Sequence, residues 1–547
     1  MTWDNTVMGR NFVTGPGPDQ GWLMPADPRE WLPARHLAWS VLEQAAEMDL
    51  SAFENAYRAD GQGGAGYDPA VMCGLLLYCY CKGLRSSREI EMATFDDVGA
   101  RVICGNLHPD HATVARFVRR HERAVRALLP ESVKACAREG LVCLEVTAGD
   151  GTKLKANASM AANVTAEQLE AQIAELEGLI AVGVQGWVAE HLAADDAAAA
   201  APHGPAAGDG GGDGGGGGKK APARAAMLLE RRRAARRQLA ARQAARSDKE
   251  RGKLQARAAE LAGRAGRKQA AADKAVALAA ARLEAWRRKA ASGVAPRGKK
   301  PGGPDADRDV RRTRAQADKA RQQAAAAAAA AARPAAAADP AAKVNTTDWA
   351  SRVMPLKKGG SGQLINAQAL ATAGKQVILA IMRHDNPADT EALHPLLEEA
   401  RAVLGAAGIP AAIVKAIFDA GYASDANFTA AAEAELYVAL AREAVQAGRA
   451  SDGRQPETML PSWQEMAARL ATPEGKAVYK KRAPTIEPVF AQLTGRLGRN
   501  LNYRGDLIDA ELHLWAASHN LLKAITARAS RTARQARAQA AAVPAAA

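Results

Sequence analysis

The sequence predicts an α/β fold preceded by an all-α region and interrupted by a low-complexity insertion, and three observations predict it. Apolar residues recur at helical spacing between capping residues from 28 to about 126. Short β-branched runs alternate with amphipathic segments after 140 and again after 345. Between them, residues 190–343 narrow to Ala, Gly, Arg, Lys and Gln.

The helical region opens at PREWLPARHLAWSVLEQAAEMDLSAFENAYRAD (28–60), where Asp49 and Ser51 are placed to start a short second helix. After a Gly-rich break at 61–66, Asp68 can cap and Pro69 can open a core helix, MCGLLLYCYCKGL. From Ser86 to about Arg126 the pattern is helix, break, helix, the break falling between Gly105 and Pro109, which suits a helix-turn-helix. The second helix carries Arg116, Arg119, Arg120 and Arg123 in a run able to meet phosphates or base edges, though a solvated bundle face has the same pattern.

LVCLEVTAGD (141–150) reads as a buried strand delivering Asp150 at its tip. Helix resumes near Thr165, which with Gln168 has the form of a capping box. In the insertion, Ala and Arg favour helix while apolar anchors such as Leu228, Leu239 and Leu254 are sparse, so exposed helices with flexible joints are expected. TTDWASRVMP, GQLINAQALATA and KQVILAIMRHD then read as successive strands, HPLLEEARAVLGAAG as an amphipathic helix and AIVKAIFDAGY as a strand ending in Asp419. A helical segment around KKRAPTIEPVFAQL carries Glu487, and HLWAASHNLLKAITAR closes the fold.

The chain of 547 residues is long enough for several domains and has no apolar run of signal-peptide or membrane-spanning length, so a cytoplasmic location and no membrane partner are expected. Six cysteines crowd the first third without a repeated CxxC spacing, which suits buried thiols better than disulfides or a zinc ribbon. The net charge of +14 is unevenly placed: residues 219–333 hold 32 Lys and Arg against 10 Asp and Glu, a net of +22, leaving −8 for the rest. Basicity therefore belongs to the insertion, and the function of the body must be argued from its motifs.

Asp150 and Asp419 each follow an apolar strand, and Glu487 lies where a helix can cross the same sheet edge. Three converging carboxylates suit two Mg²⁺ (or Mn²⁺) ions, hard cations that prefer oxygen ligands and can serve in-line phosphoryl transfer. Taken singly, each carboxylate is more often a cap or a surface charge. Lys153 and Lys155 could face a DNA backbone if the strand runs on past Asp150, or be solvated edge lysines. Asn366 and Gln368 stand out as polar residues in an apolar strand. GGGGGKK near 214–220 lacks the first Gly and the final Ser or Thr of a phosphate-binding loop, so no nucleotide cofactor is expected.

Five collinear motifs carry a resemblance: YDPAVMCGLLLYCYCKGLRSSREIE (67–91), GNLHPDHATVARFVRRH (105–121), DGTKLKANAS (150–159), DAGYAS (419–424) and TPEGKAVYKKRAPTIEPVFAQL (472–493). Together they resemble the DDE transposases of bacterial insertion sequences with an InsH-type N-terminal domain, over roughly 20–165 and 345–525. The resemblance implies an RNase H-like mixed sheet flanked by helices, with Asp150, Asp419 and Glu487 as catalytic metal ligands. It also implies that Tyr479 and Arg482 hold DNA phosphates. Where members of the wider group place a Lys seven residues after the Glu, this chain has Thr494, and Arg496 is the candidate substitute.

On this reading the chain divides into a helical lead-in (1–66), a helical DNA-binding domain (67–135), a first part of the catalytic core (136–189), the basic insertion (190–343), the second part of the core (344–525) and an Ala/Arg tail (526–547). The implied activity is cleavage at terminal inverted repeats followed by strand transfer into target DNA, by a homodimer on the nucleoid. An RNase H-fold nuclease that cuts without joining, or a non-catalytic DNA-binding derivative, would share most of these features. The insertion is open between a DNA clamp and a tolerated expansion.

Overall fold

In the computed structural model, the described residues are 27–57, 66–182, 217–292, 299–333, 339–356, 359–430, 433–440 and 460–542. Most of the Gly-rich run, most of SDGRQPETMLPS and both chain ends lie outside them. Residues 27–162 and 347–542 form one compact unit, and 163–182 with 222–346 a second. The strands are β1 (Val146–Lys155), β2 (Asn163–Thr165), β3 (Lys343–Asn345), β4 (Arg352–Pro355), β5 (Ser361–Thr372), β6 (Ile378–His384), β7 (Lys415–Phe418) and β8 (Glu435–Val438).

The first unit is a mixed sheet flanked by helices, with a helical layer ahead of it. β1 is central: antiparallel to β5 from Thr147 opposite Thr372 to Lys155 opposite Leu364, and parallel to β7 over Val146–Ala148 only. On the far side of β5, β4 and β6 both pair antiparallel with it, and β8 extends the other edge parallel to β7. The strand expected to end at Asp150 therefore runs on to Lys155. The reason is non-local: β5 keeps supplying ladder hydrogen bonds past Asp150, whereas β7 stops at Phe418. Asp150 thus sits inside a strand, at a notch where only one neighbour continues.

In the helical layer, the Pro69–Lys82 helix begins as its sequence dictates. Asp68 accepts from the Ala70 N–H at 2.7 Å, Pro69 occupies the first turn, and Gly83 closes the helix at φ 88°. Met72 to Cys81 are buried on every face, as an all-round apolar helix requires. The 86–126 region folds into four helices, Ser87–Asp96, Val98–Ile103, His111–Arg120 and Glu122–Arg126, where the pattern suggested two. The extra break lies at Asp97, whose carboxylate takes the Gly99 and Ala100 N–H groups and so starts a new helix. Five of the six cysteines are buried, Cys143 is exposed, and all are free thiols, in line with the spacing argument.

The Leu507–Ala542 helix joins the layers. It packs on the Leu128–Arg138 helix, the Pro69–Lys82 helix and β6, and Ala510, Leu512, Leu514, Trp515, Ala516 and Leu521 are fully enclosed. Glu511, buried at its N-terminal end, accepts from the Asn502 and Tyr503 N–H groups and pairs with Arg85 at 3.5 Å. His519 is buried on the same helix, its Nε2 donating to the Gln376 carbonyl at 2.9 Å, and burial pushes its pKa down to about 3. The folded state refuses a proton that the unfolded chain accepts near pH 6.5, so stability falls as pH drops from there toward 3. The slope is about 1.4 kcal/mol per pH unit. His519→Gln is expected to flatten that acid limb in urea melts at pH 4–6.5; an unchanged limb would refute the assignment.

The second unit holds the β2–β3 ladder and helices Ala166–Val182, Gly217–Ala291 and Arg308–Ala331. The Thr165–Gln168 capping box forms, with the Thr165 N–H donating to Gln168 Oε1 at 3.0 Å and the Gln168 N–H to Thr165 Oγ1 at 3.4 Å. The Ala166–Val182 helix groups with the insertion's helices.

Candidate active site

Asp150 is flanked by two glycines that close packing demands. A Cβ on Gly149 would enter the Phe418 ring, and one on Gly151 would meet the Gln368 amide and Asp389. These glycines admit neighbours at the sheet face. Gly151→Ala is expected to cost about 1–3 kcal/mol by overpacking. Gly178→Ala, at an open helix position, should be neutral or gain a few tenths. Equal melting shifts for the two would contradict this.

Asp419 follows β7 directly. Its Oδ1 accepts from the Gly421 N–H at 2.9 Å and caps the Ala420–Tyr422 turn, which fixes the carboxylate at the strand's end. Because Ala148 aligns with Ile417, Asp150 and Asp419 lie at the same level of the two parallel strands. Burial raises the pKa of Asp150. The nearby Asp419 charge adds to the rise, against the Gly151 N–H and Arg482, which lower it.

Glu487 lies in the second turn of the Arg482–Leu497 helix and is 61 % exposed. Pro488 follows it and can donate nothing to the Pro484 carbonyl. Gln376 Nε2 supplies the missing bond at 3.0 Å, which keeps the helix intact across the proline. Arg482 binds the carboxylates together: Nη1 donates to Asp150 Oδ2 at 3.0 Å and Nη2 lies 3.6 Å from Glu487 Oε1. Tyr479 stands against the same guanidinium, its phenol pKa raised by burial. Arg482 thus bridges Asp150 and Glu487, while Asp419 lies level with Asp150 by strand register.

A second polar cluster backs the notch. Asn366 and Gln368, opposite Lys153 and Gly151 in the ladder, are fully buried and both donate to Asp389 Oδ1, at 2.8 and 2.7 Å. Tyr422 donates its hydroxyl to Gln368 Oε1, which ties the turn after Asp419 to this cluster. Asp389 escaped the sequence reading because HDNPADT looks like any polar turn. The signal was the buried amide pair in an apolar strand, which must find a partner.

The other candidates are dispersed. Lys153 Nζ donates to the Pro387 carbonyl at 2.7 Å and lies 3.8 Å from Asp389, so it faces the backing cluster. Lys155 is exposed, its backbone paired with Arg499 and Leu501. Arg496 turns inward, Nη2 donating to Ser518 Oγ at 3.2 Å. Arg120 donates to the Ala56 carbonyl at 2.6 Å and stacks 4.5 Å from the Tyr57 ring centre, and like Arg116 and Arg119 on the same helix it is exposed.

Among the described residues no group of three His, Cys, Asp or Glu stands close enough to hold a metal ion as placed, and the Arg482 guanidinium lies between Asp150 and Glu487. The donor chemistry does fit a hard divalent cation. All three candidates offer oxygen, and the two aspartates oppose each other's charge, which a cation would offset.

Residues 27–120 match the family model of a transposase domain (DUF772), and residues 451–525 match that of a transposase DDE domain. No curated protein and no solved structure matches the chain. The second match supports an enzyme of the nuclease and transposase class, and the mixed sheet flanked by helices is consistent with it. Both matches are to transposase domains, and together they support a DDE transposase of an insertion sequence. No helix among the described residues is long and apolar enough to cross a membrane.

Proposed function

We propose that the chain binds the terminal inverted repeats of its element, cleaves DNA at the element's ends and joins them to target DNA, working as a homodimer on the nucleoid. The observation that carries this is the alignment of Asp150 with Asp419 at one level of two parallel strands, with Arg482 spanning to Glu487. The strand order supports an RNase H-like core: three antiparallel strands, β6, β5 and β1, continue into two parallel ones, β7 and β8. In this reading 67–135 is the helix-turn-helix-type recognition region and 136–189 with 344–525 the core, of which 163–182 and 344–346 group with the insertion.

Asp150, Asp419 and Glu487 would hold two Mg²⁺ or Mn²⁺ ions, whose chemistry is to neutralise the transferring phosphoryl group and activate the attacking oxygen. The chain's own residues do the rest. The Asp419 cap and the Gln368–Tyr422 bond fix the second carboxylate in place. Arg482, backed by Tyr479, moves from the carboxylates to a DNA phosphate when the notch fills. Lys155 supports the backbone further along β1. Arg116 and Arg119 are the exposed cations available to the end-binding helix, and Arg120, also exposed, ties that helix to the Ala56 carbonyl.

The test is incubation of the full chain with end-containing duplex, plasmid target and Mg²⁺. Cleaved ends and joined product are expected. Cleavage without joining would reassign the chain to the nucleases, and binding without cleavage would make it a non-catalytic derivative.

A further inference from the structure

Neither family match reaches the insertion, yet its helices have a definite architecture. In the Gly217–Ala291 helix the buried Ala265, Ala272 and Ala279 recur every seventh residue, and Val310, Ala317 and Ala320 line the Arg308–Ala331 helix at coiled-coil spacing. Lys268 Nζ donates to Gln316 at 3.1 Å, and Leu254 and Leu261, flanked by Arg257 and Arg264, share a groove with Gln323, Ala327 and Ala330. As numbers rise along one helix they fall along the other, so the pair is an antiparallel hairpin with an alanine seam.

The seam sets which residues face outward. At 3.6 residues per turn, Lys253, Arg257, Arg264, Arg267, Lys274 and Arg282 fall within one sector of roughly 100°, centred about 110° around the helix from the alanine seam, with Arg257 and Arg264 on the rim of the groove. All six are exposed, and none forms an ion pair among the described residues. Two cations off this sector are paired, Arg251 with Asp248 at 3.4 Å and Arg288 with Glu284 at 3.5 Å. Glu260 is the one acid in the sector, and Leu278, half exposed, its one large apolar side chain. The stripe runs about 44 Å at 1.5 Å per residue.

We propose that this stripe grips the sugar–phosphate backbone of duplex DNA without reading its sequence. Duplex DNA carries about one charge per 1.7 Å of axis, a matching continuous array. A protein partner would call for a cluster of large apolar or aromatic anchors, which the sector lacks. Uncompensated cations on one face of a rigid rod cost solvation and repulsion unless an anion array meets them. The inference stands apart from the catalytic reading, because it concerns DNA lacking element ends and needs no divalent metal.

The experiment titrates the full chain onto random-sequence duplex in chelator at several salt concentrations. It compares Arg264→Gln/Arg267→Gln with the charge-matched Arg251→Gln/Arg287→Gln on the opposite side. The first pair is expected to flatten the slope of log K against log [salt] by roughly 0.9 per contact removed, and the second to leave it unchanged. Gln retains helix propensity, so helical circular dichroism should persist. If it does not, Arg264→Lys/Arg267→Lys, which keeps the charge, must retain the wild-type slope. Equal slopes for the two Gln pairs would overturn the proposal. So would a change in self-association by sedimentation with the DNA slope intact, since the stripe would then meet a second copy of the chain. Failure of end cleavage in the joining assay leaves this result untouched.

Discussion

Asp150→Asn is expected to bind element ends as wild type does and to yield neither cleaved nor joined strand, a loss of about 10³-fold or more for an effect worth several kcal/mol. Asparagine keeps the size and the backbone pairing of β1, so the loss is one of charge. A second readout separates this from misfolding. Burial and Asp419 raise the Asp150 pKa in the folded state, against the opposing Gly151 N–H and Arg482. For a raised acid, stability is full below the unfolded value and is lost as pH rises through the folded one. The ionised carboxylate therefore costs stability at neutral pH. In chelator at pH 7 the variant is expected to melt no lower than wild type, and any advantage to close as pH falls toward the ordinary aspartate range. Mg²⁺ should raise the melting temperature of wild type alone. Wild-type excision by the variant, or Mg²⁺ stabilisation of both proteins, would sink the assignment.

Arg482→Ala is expected to slow end cleavage about 10²-fold, near the effect of deleting one preorganised donor. It should also move the acid limb of the pH–rate profile upward. The guanidinium lowers the Asp150 pKa, so removing it lets burial and Asp419 raise that pKa further and pushes loss of the carboxylate to higher pH. Arg482→Lys should recover only part of the rate, because a single ammonium cannot reach Asp150 and Glu487 with separate nitrogens as the fork does. A slower variant with an unmoved acid limb would mean that Arg482 acts on DNA alone.

Features set by a few adjacent residues were legible in the sequence. Asp68 and Pro69 announce their helix, Thr165 and Gln168 their capping box, and KAIF, the last four residues of the apolar run AIVKAIF, the strand that Asp419 terminates. Features set by distant partners were not. The strand through Asp150 extends because β5, far along the chain, pairs with it, and the flanking glycines mark close approach of Phe418 and Gln368. Asp389 has meaning only once Asn366 and Gln368 are seen to converge on it. Charge alone was equally silent about direction. Arg496 and Arg120 look like Arg116 in sequence, yet the first two are consumed by Ser518 and by Ala56 with Tyr57.

The Leu507–Ala542 helix gives this architecture an order of assembly. It supplies the shared wall of the helical layer and the sheet, yet a ribosome makes it after every element it touches. Until it emerges, the apolar faces of the Pro69–Lys82 and Leu128–Arg138 helices and of β6 have no common partner. Docking of this helix and completion of the notch are thus one event, and a nascent chain stopped short of it has all three acidic candidates but no closed core around them.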